Sequence, residues 1–187
     1  TTTAVLLQAF EFLLDPNGDL DPKDSVHIIN LSIGRQFGRP YSLYDQVVTR
    51  LARYGILTVA SAGNSGDIPF VVSSPGTASL ALTVGAFGRK HLSQKAYLAS
   101  FSSRGPRSFD AILKPEILAP GVHILAPKMS EGKKLVAMSG TSMAAPFISG
   151  LAAILKQQRP SLSVQKLRSL LISSTKPLYK KKTKEYS

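Results

Sequence analysis

Apolar and polar positions alternate along the chain between a helical and a strand-like spacing. From Thr3 to Leu14 the apolar residues Leu6, Leu7, Phe10, Leu13 and Leu14 recur three and four apart, the period of one helix face. Residues 42–53 repeat that spacing at Leu43, Val47, Val48 and Leu51, and Gly55 follows as a favourable helix stop. Residues 142–158 and 164–173 predict two more helices, the first rich in small side chains. Between the helices run short, nearly continuous apolar stretches at 26–33, 56–61 and 80–86, with shorter extended pieces at 117–119 and 122–125. Such runs, joined by helices, predict a mostly parallel sheet covered on both faces, a three-layer α/β sandwich. Ligands bind such sheets at the carboxyl ends of the strands. The small-residue stretches Ser32-Ile33-Gly34 and Ser61-Ala62-Gly63-Asn64 fall at two of those ends.

Composition narrows the class. The chain has 187 residues, the size of one domain, and no internal repeat or long linker divides it. It has no cysteine, which excludes a disulfide framework, a thiolate zinc site and a thiol nucleophile. No apolar run approaches about 20 residues, so no membrane span is expected. The opening Thr1-Thr2-Thr3 carries no secretory leader and reads as the interior of something longer. The net charge is +12, yet the first 24 residues hold five acids and one base, so the remaining 163 carry +16. The bases are scattered apart from one run, Lys180-Lys181-Lys182-Thr183-Lys184, in a basic tail at 175–187. That run lacks the interleaved aromatics of a single-strand binder, so no nucleic-acid partner is expected and the tail reads as solvated.

The stretch richest in chemistry is Ser139-Gly-Thr-Ser-Met-Ala-Ala-Pro146. Ser142 falls at the start of a helix, where free backbone N–H groups and the positive end of the macrodipole favour developing negative charge. Pro146 is assigned to the first turn, which needs no N–H partners. A serine N-cap on a buried helix is the plainer alternative. Gly140-Thr-Ser-Met-Ala144 nearly matches the Gly-x-Ser-x-Gly elbow, but that elbow follows a strand directly and its Asp and His come later; no such pair follows Ser142. Asn64 stands just past a buried strand. Its side-chain N–H beside the Ser142 N–H would complete an oxyanion hole. Ile29-Asn-Leu-Ser-Ile-Gly34 ends a strand on a small, open edge that an extended peptide can pair with.

These three elements, in this order, resemble the subtilisin-like serine proteases, the subtilases, over residues 1–174. Further blocks typical of that family are Ser74-Pro-Gly-Thr-Ala78, Phe101-Ser-Ser-Arg-Gly-Pro106 and Lys114-Pro-Glu-Ile-Leu-Ala-Pro-Gly121. The resemblance implies that Ser142 is the nucleophile and Asn64 the oxyanion-hole side chain. It implies that Ser32, Ile33, Gly34, Ser61, Ala62 and Gly63 line the primary specificity pocket and bind substrate backbone. Residues 68–72 are expected to shape the pocket floor. Sedolisins, which share a similar serine block, place an acid where Asn64 stands.

The family order is Asp, His, Ser, and neither the Asp motif nor a His-Gly-Thr-His occurs here. His27, inside a predicted strand, His91 and His123 read as structural or exposed. Position 145 is Ala, so no Ser-x-x-Lys dyad replaces the base. The expectation is therefore the C-terminal part of a catalytic domain, incomplete at its N-terminal side and inactive alone. Its partners would be a polypeptide substrate and the N-terminal part that carries Asp and His. The resemblance also implies secretion and chemistry without a cofactor. Asp15, Asn17, Asp19 and Asp21 space oxygens as in the start of a calcium loop, although position 26 is Val where such a loop has Glu; a turn without metal fits equally. The rival from another class is a basic binding module, or an inactive protease relic, on the same scaffold.

Overall fold

A computed structural model describes residues 3–19, 21–91 and 94–178. The basic run at 180–184 lies outside the described residues. Helix α1 (Thr3–Leu14) forms where its apolar row predicts, with Phe10 buried. A 3-10 turn at Pro22–Asp24 leads to strand β1 (Ile28–Leu31). The strand is shorter than its apolar run, so His27 stands one residue before it and Ser32 to Gly34 lie beyond its end.

Helix α2 (Leu43–Arg53) begins at Ser42, whose Oγ accepts from the Asp45 N–H, and ends at Tyr54 and Gly55, the latter at φ 84°. Strands β2 (Leu57–Ser61) and β3 (Leu82–Gly88) follow, then a two-residue β4 (Tyr97–Leu98) and β5 (Ile117–Pro120). Strands β1, β2, β3 and β5 are parallel neighbours in that order, and β4 adds antiparallel to the end of β3. Strands β6 (Ile124–Pro127) and β7 (Leu135–Met138) form a separate antiparallel hairpin. The chain then enters α3 (Thr141–Gln158) and closes with α4 (Val164–Ser173).

The sheet is covered on both faces, as the continuous apolar strands require. Leu57, Val59, Val84 and Ile117 pack with Ala144, Ala145, Ile148, Leu167 and Leu171 under α3 and α4. Ile29, Leu31 and Ala60 point the other way, onto Phe10 of α1 and Val48 and Leu51 of α2. Alternation along each strand thus sorts two cores onto two faces. Helix α3 is buried on the sheet side only, through Thr141, Ala144, Ala145, Ile148 and Ala152. Its opposite side exposes Phe147, Leu151 and Ile154, each more than 40% accessible.

The entry to α3 is fixed by a close approach. The Gly140 N–H donates to Gly121 O at 2.8 Å, and a Cβ on Gly121 would stand 2.6 Å from Ala86 Cβ and 2.8 Å from Gly140 O. Only glycine at 121 lets the hairpin exit cross the end of β3 and deliver Ser142 to the carboxyl ends of β1 and β2.

Candidate active site

Ser142 is the second residue of α3, with Gly140 in the N-cap position. Its Oγ donates to Ser32 O at 3.1 Å, and Ser32 Oγ donates back to Ser142 O at 2.8 Å. Pro146 explains the second bond. It is the sixth helical residue, one turn beyond where the sequence placed it, and has no N–H to give Ser142 O. The Ser32 hydroxyl supplies the missing donor. Ser32 is itself held by Asn30 Nδ2 at 2.9 Å, and Asn30 Oδ1 accepts from Ser149 Oγ at 2.9 Å. Four side chains, Asn30, Ser32, Ser142 and Ser149, thereby tie the start of α3 to β1 and the segment just past it.

Asn64 is oriented from behind. Its Oδ1 accepts from the Thr141 N–H at 2.9 Å and from Thr141 Oγ1 at 3.0 Å, while Thr141 Oγ1 accepts from the Gly63 N–H at 3.1 Å. Thr141 is fully buried, so this arrangement is shielded from water. With Oδ1 engaged inward, Nδ2 is directed outward and donates to none of the described residues. The Ser142 N–H likewise has no partner among the described residues. Two N–H donors thus stand free beside one hydroxyl at a helix N-terminus.

The predicted walls also converge. Ser32-Ile33-Gly34 and Ser61-Ala62-Gly63 run beside each other, and Ser73 fills the space between them. A Cβ on Gly34 would lie 3.0 Å from Ser73 Cβ, and one on Gly63 would overlap Ser73 Oγ. Gly63 is also at φ 104°, so both its backbone and its neighbour demand glycine. Ser73 N–H donates to Ala62 O at 2.9 Å. Ser73 closes the gap between the two stretches. Within residues 68–72, Val71 and Val72 are buried, and Ile68 and Phe70 are exposed. Gly34 makes no backbone hydrogen bond with the described residues, which leaves an edge open to an extended peptide.

No described imidazole bonds to Ser142 Oγ. His27, His91 and His123 are all exposed, and the His123 backbone N–H donates to Ser139 Oγ at 2.9 Å. The calcium-loop residues are only partly gathered. Carboxylate oxygens of Asp15, Asp19 and Asp24 lie within 4.8 Å of one another. Asp21 instead pairs with Lys23 Nζ at 2.7 Å, and Asn17 bonds Asp19. Asp24 joins Asp15 and Asp19 in this acidic group. Among the described residues, no helix is long and apolar enough to cross a membrane.

Behind the site, Asp45 reciprocates the α2 cap: its Oδ2 accepts from the Tyr41 N–H at 2.8 Å and its Oδ1 from Ser42 Oγ at 3.4 Å. Burial holds its carboxyl above the ordinary 3.8, outweighing the bond from Tyr41 and the field of Arg107. The folded protein therefore binds this proton more tightly than the unfolded chain does, and its contribution to stability falls as pH rises from about 3.8 through the raised value. Asp45→Asn cannot ionise. Its thermal midpoint, measured against wild type, is expected to gain as pH rises from about 3.8 through the raised value and then to level off. A difference that stays flat over that range would show that the carboxyl titrates normally.

Comparison with known proteins places these features. The model of the subtilase family (Peptidase_S8) matches residues 1–186. Serine protease AprX of Bacillus subtilis (strain 168) is 33% identical over 192 aligned positions, which cover 93% of this chain and 43% of AprX. Among solved structures, sphericase superposes with a TM-score of 0.67 at 33% identity, over 78% of this chain and 47% of its own. The self-cleaved protease domain of PatA superposes with a TM-score of 0.73 at 29% identity, over 95% and 61%. The chain thus spans about half of the relatives it matches.

Proposed function

The chain belongs to the subtilase family, and from that premise we propose that it supplies the nucleophile, oxyanion and substrate-edge half of a serine endopeptidase. The observation that carries the reading is the joint placement of Ser142 Oγ, the free Ser142 N–H and the outward Asn64 Nδ2. In this reaction Ser142 Oγ attacks the peptide carbonyl carbon and its proton passes to a base. The carbonyl oxygen gains the negative charge and is held by the two N–H donors. Collapse expels the amine, which takes the proton from the base, and water then releases the acyl group from Ser142 by the same route. Acyl transfer of this kind uses no cofactor.

The base is proposed to be a His, oriented by an Asp, from sequence outside these 187 residues. In the present arrangement the Ser142 proton is engaged by Ser32 O, so the hydroxyl must turn away from Ser32 to be activated. A serine without a base is a poor nucleophile, and the chain alone is proposed to be inactive. Two surfaces support a missing half. Among the described residues β1 pairs only with β2, leaving its other edge open. The second is the exposed row Phe147, Leu151 and Ile154 on α3, an apolar face that water disfavours. Family membership also supports a location outside the cell.

The test is reconstitution. The chain is mixed with the polypeptide encoded directly upstream, and a fluorophosphonate probe is added. Labelling is expected on Ser142 in the mixture, with none for the chain alone or for Ser142→Ala. A stable complex that takes up no probe would refute the protease reading and favour a non-catalytic scaffold.

A further inference from the structure

Past the pocket walls the chain continues through Arg35, Gln36, Phe37, Gly38 and Arg39 before it reaches α2. Two adjoining clefts, of about 580 and 570 Å³, open on this segment and share Arg35, Tyr44 and Ser74. The first is also lined by Gln36, Arg39 and Ser42, and neither cleft is lined by an Asp or Glu. The nearest carboxylate along the chain, Asp45, is buried and turned to Tyr41 N–H and Ser42 Oγ.

Arg35 and Arg39 are exposed, and neither side chain forms an ion pair or hydrogen bond with a described residue. Other cations near the site are engaged: Arg104 with Asp67, Arg107 with Asp110, Lys114 and Arg168 with Glu116. The Arg35 backbone is nonetheless fixed, because its N–H donates to Ser74 O at 2.9 Å and its C=O accepts from the Ser74 N–H at 3.0 Å. Ser74 is only 6% exposed, and its buried Oγ has no partner. A rigid backbone thus holds a cation without a counter-charge at a cleft beside an open peptide-binding edge.

We propose that the two clefts form a subsite for an acidic side chain of the substrate, a proposal that rests on the protease reading above. Ser32 meets Ser142 directly, and Arg35 lies three residues farther along the edge, about 10 Å at the rise of an extended strand. An Asp or Glu about three residues from the scissile bond would reach Arg35 and Arg39. A planar guanidinium suits a carboxylate by paired N–H donors. The same two charges repel Lys or Arg at that position, so discrimination comes from both signs. The chain's +12 charge would draw acidic polypeptides toward the site from a distance.

The experiment has two arms. On the assembled protease, peptides differing only by Glu or Lys are compared at each position within five residues of the cleaved bond. One position is expected to favour Glu by about tenfold in kcat/KM, the effect of two partly exposed charge pairs. The preference should vanish in Arg35→Gln/Arg39→Gln and reverse in Arg35→Glu/Arg39→Glu. An active enzyme with a ratio near one at every position overturns the proposal. In the second arm, fluorescence anisotropy measures binding of the same peptides to this chain carrying Ser142→Ala. Should the assembled protein cleave nothing, Glu-selective binding lost in the Arg35→Gln/Arg39→Gln variant leaves the subsite standing and removes only the protease reading. Equal binding of both peptides in that case removes the subsite as well.

Discussion

Asn64→Ala in the assembled protease is expected to lower kcat by about 10²–10³ with KM changed less than about threefold. Loss of one such donor has that effect in a subtilisin, and the figure is that enzyme's, carried over by similarity. The physical basis lies in how Asn64 is held. Thr141 N–H and Oγ1 both donate to Oδ1, so the amide cannot flip without leaving those donors facing an N–H. On the proposed reading Nδ2 would therefore meet the carbonyl oxygen already oriented, and its bond would strengthen only as negative charge develops. An interaction made in the transition state alone appears in kcat and not in KM. The substitution also strands the buried Thr141 N–H, which costs about 1–3 kcal/mol of stability, so rates must be taken well below the thermal transition. Asn64→Asp sharpens the result: it preserves an acceptor for Thr141 but faces the oxyanion with a carboxylate, and should be slower still. A kcat within fivefold of wild type for Asn64→Ala would remove Asn64 from the oxyanion hole.

The elements that hydrophobic period can report were legible from the residues alone. Helix α1 and the parallel strands β1, β2, β3 and β5 occur where their apolar spacing puts them, with ends displaced by a few residues. Strand β7 leaves no signal in the sequence pattern because Leu135 and Met138 are exposed in an isolated hairpin, so no buried face imposes alternation. Strand β4 is two residues long, below what a pattern can signal. In the site, Ser142, Asn64 and the glycine-bearing walls stand on motifs whose residue types announce them. Asn30, Thr141, Ser149 and Ser73 do not. Their roles come from partners that arrive from distant segments, as when Ser32 meets Ser142 across 110 positions or Gly63 meets Thr141 across 78. Pro146 lies deeper in the helix than its motif suggests, for a related reason. Counting from the serine placed it in the first turn, whereas the compensating Ser32 hydroxyl lets the helix tolerate it one turn later.

Lys114→Met is expected to destabilise the chain by about 3–5 kcal/mol, the range for removing one member of a buried charged network. The Lys114 side chain is completely buried. Its Nζ donates to Ala78 O at 2.9 Å, Ala81 O at 3.0 Å, Thr83 Oγ1 at 3.1 Å and Glu116 Oε1 at 2.6 Å. Burial pushes this ammonium below the ordinary lysine value, and Glu116 opposes the shift. Methionine matches the length of the side chain, so the loss is of donors and charge rather than of volume. Ala81 O would then be buried without a donor, Ala78 O would keep only the Ala81 N–H at 3.2 Å, and Glu116 would retain only Arg168 and the Thr83 N–H. For a chain of this size the midpoint should fall by roughly 10 °C. The turn that Lys114 ties down runs directly from Ser73 and Ser74, so the same substitution should loosen the packing between Gly34 and Gly63. Hydrogen exchange of the Ala62 and Ser73 amides should accelerate more than that of the α2 amides. A midpoint lowered by less than about 2 °C would mean that water reaches Ala78 O and Ala81 O, and that the buried cation contributes little to holding Ser73 between Gly34 and Gly63.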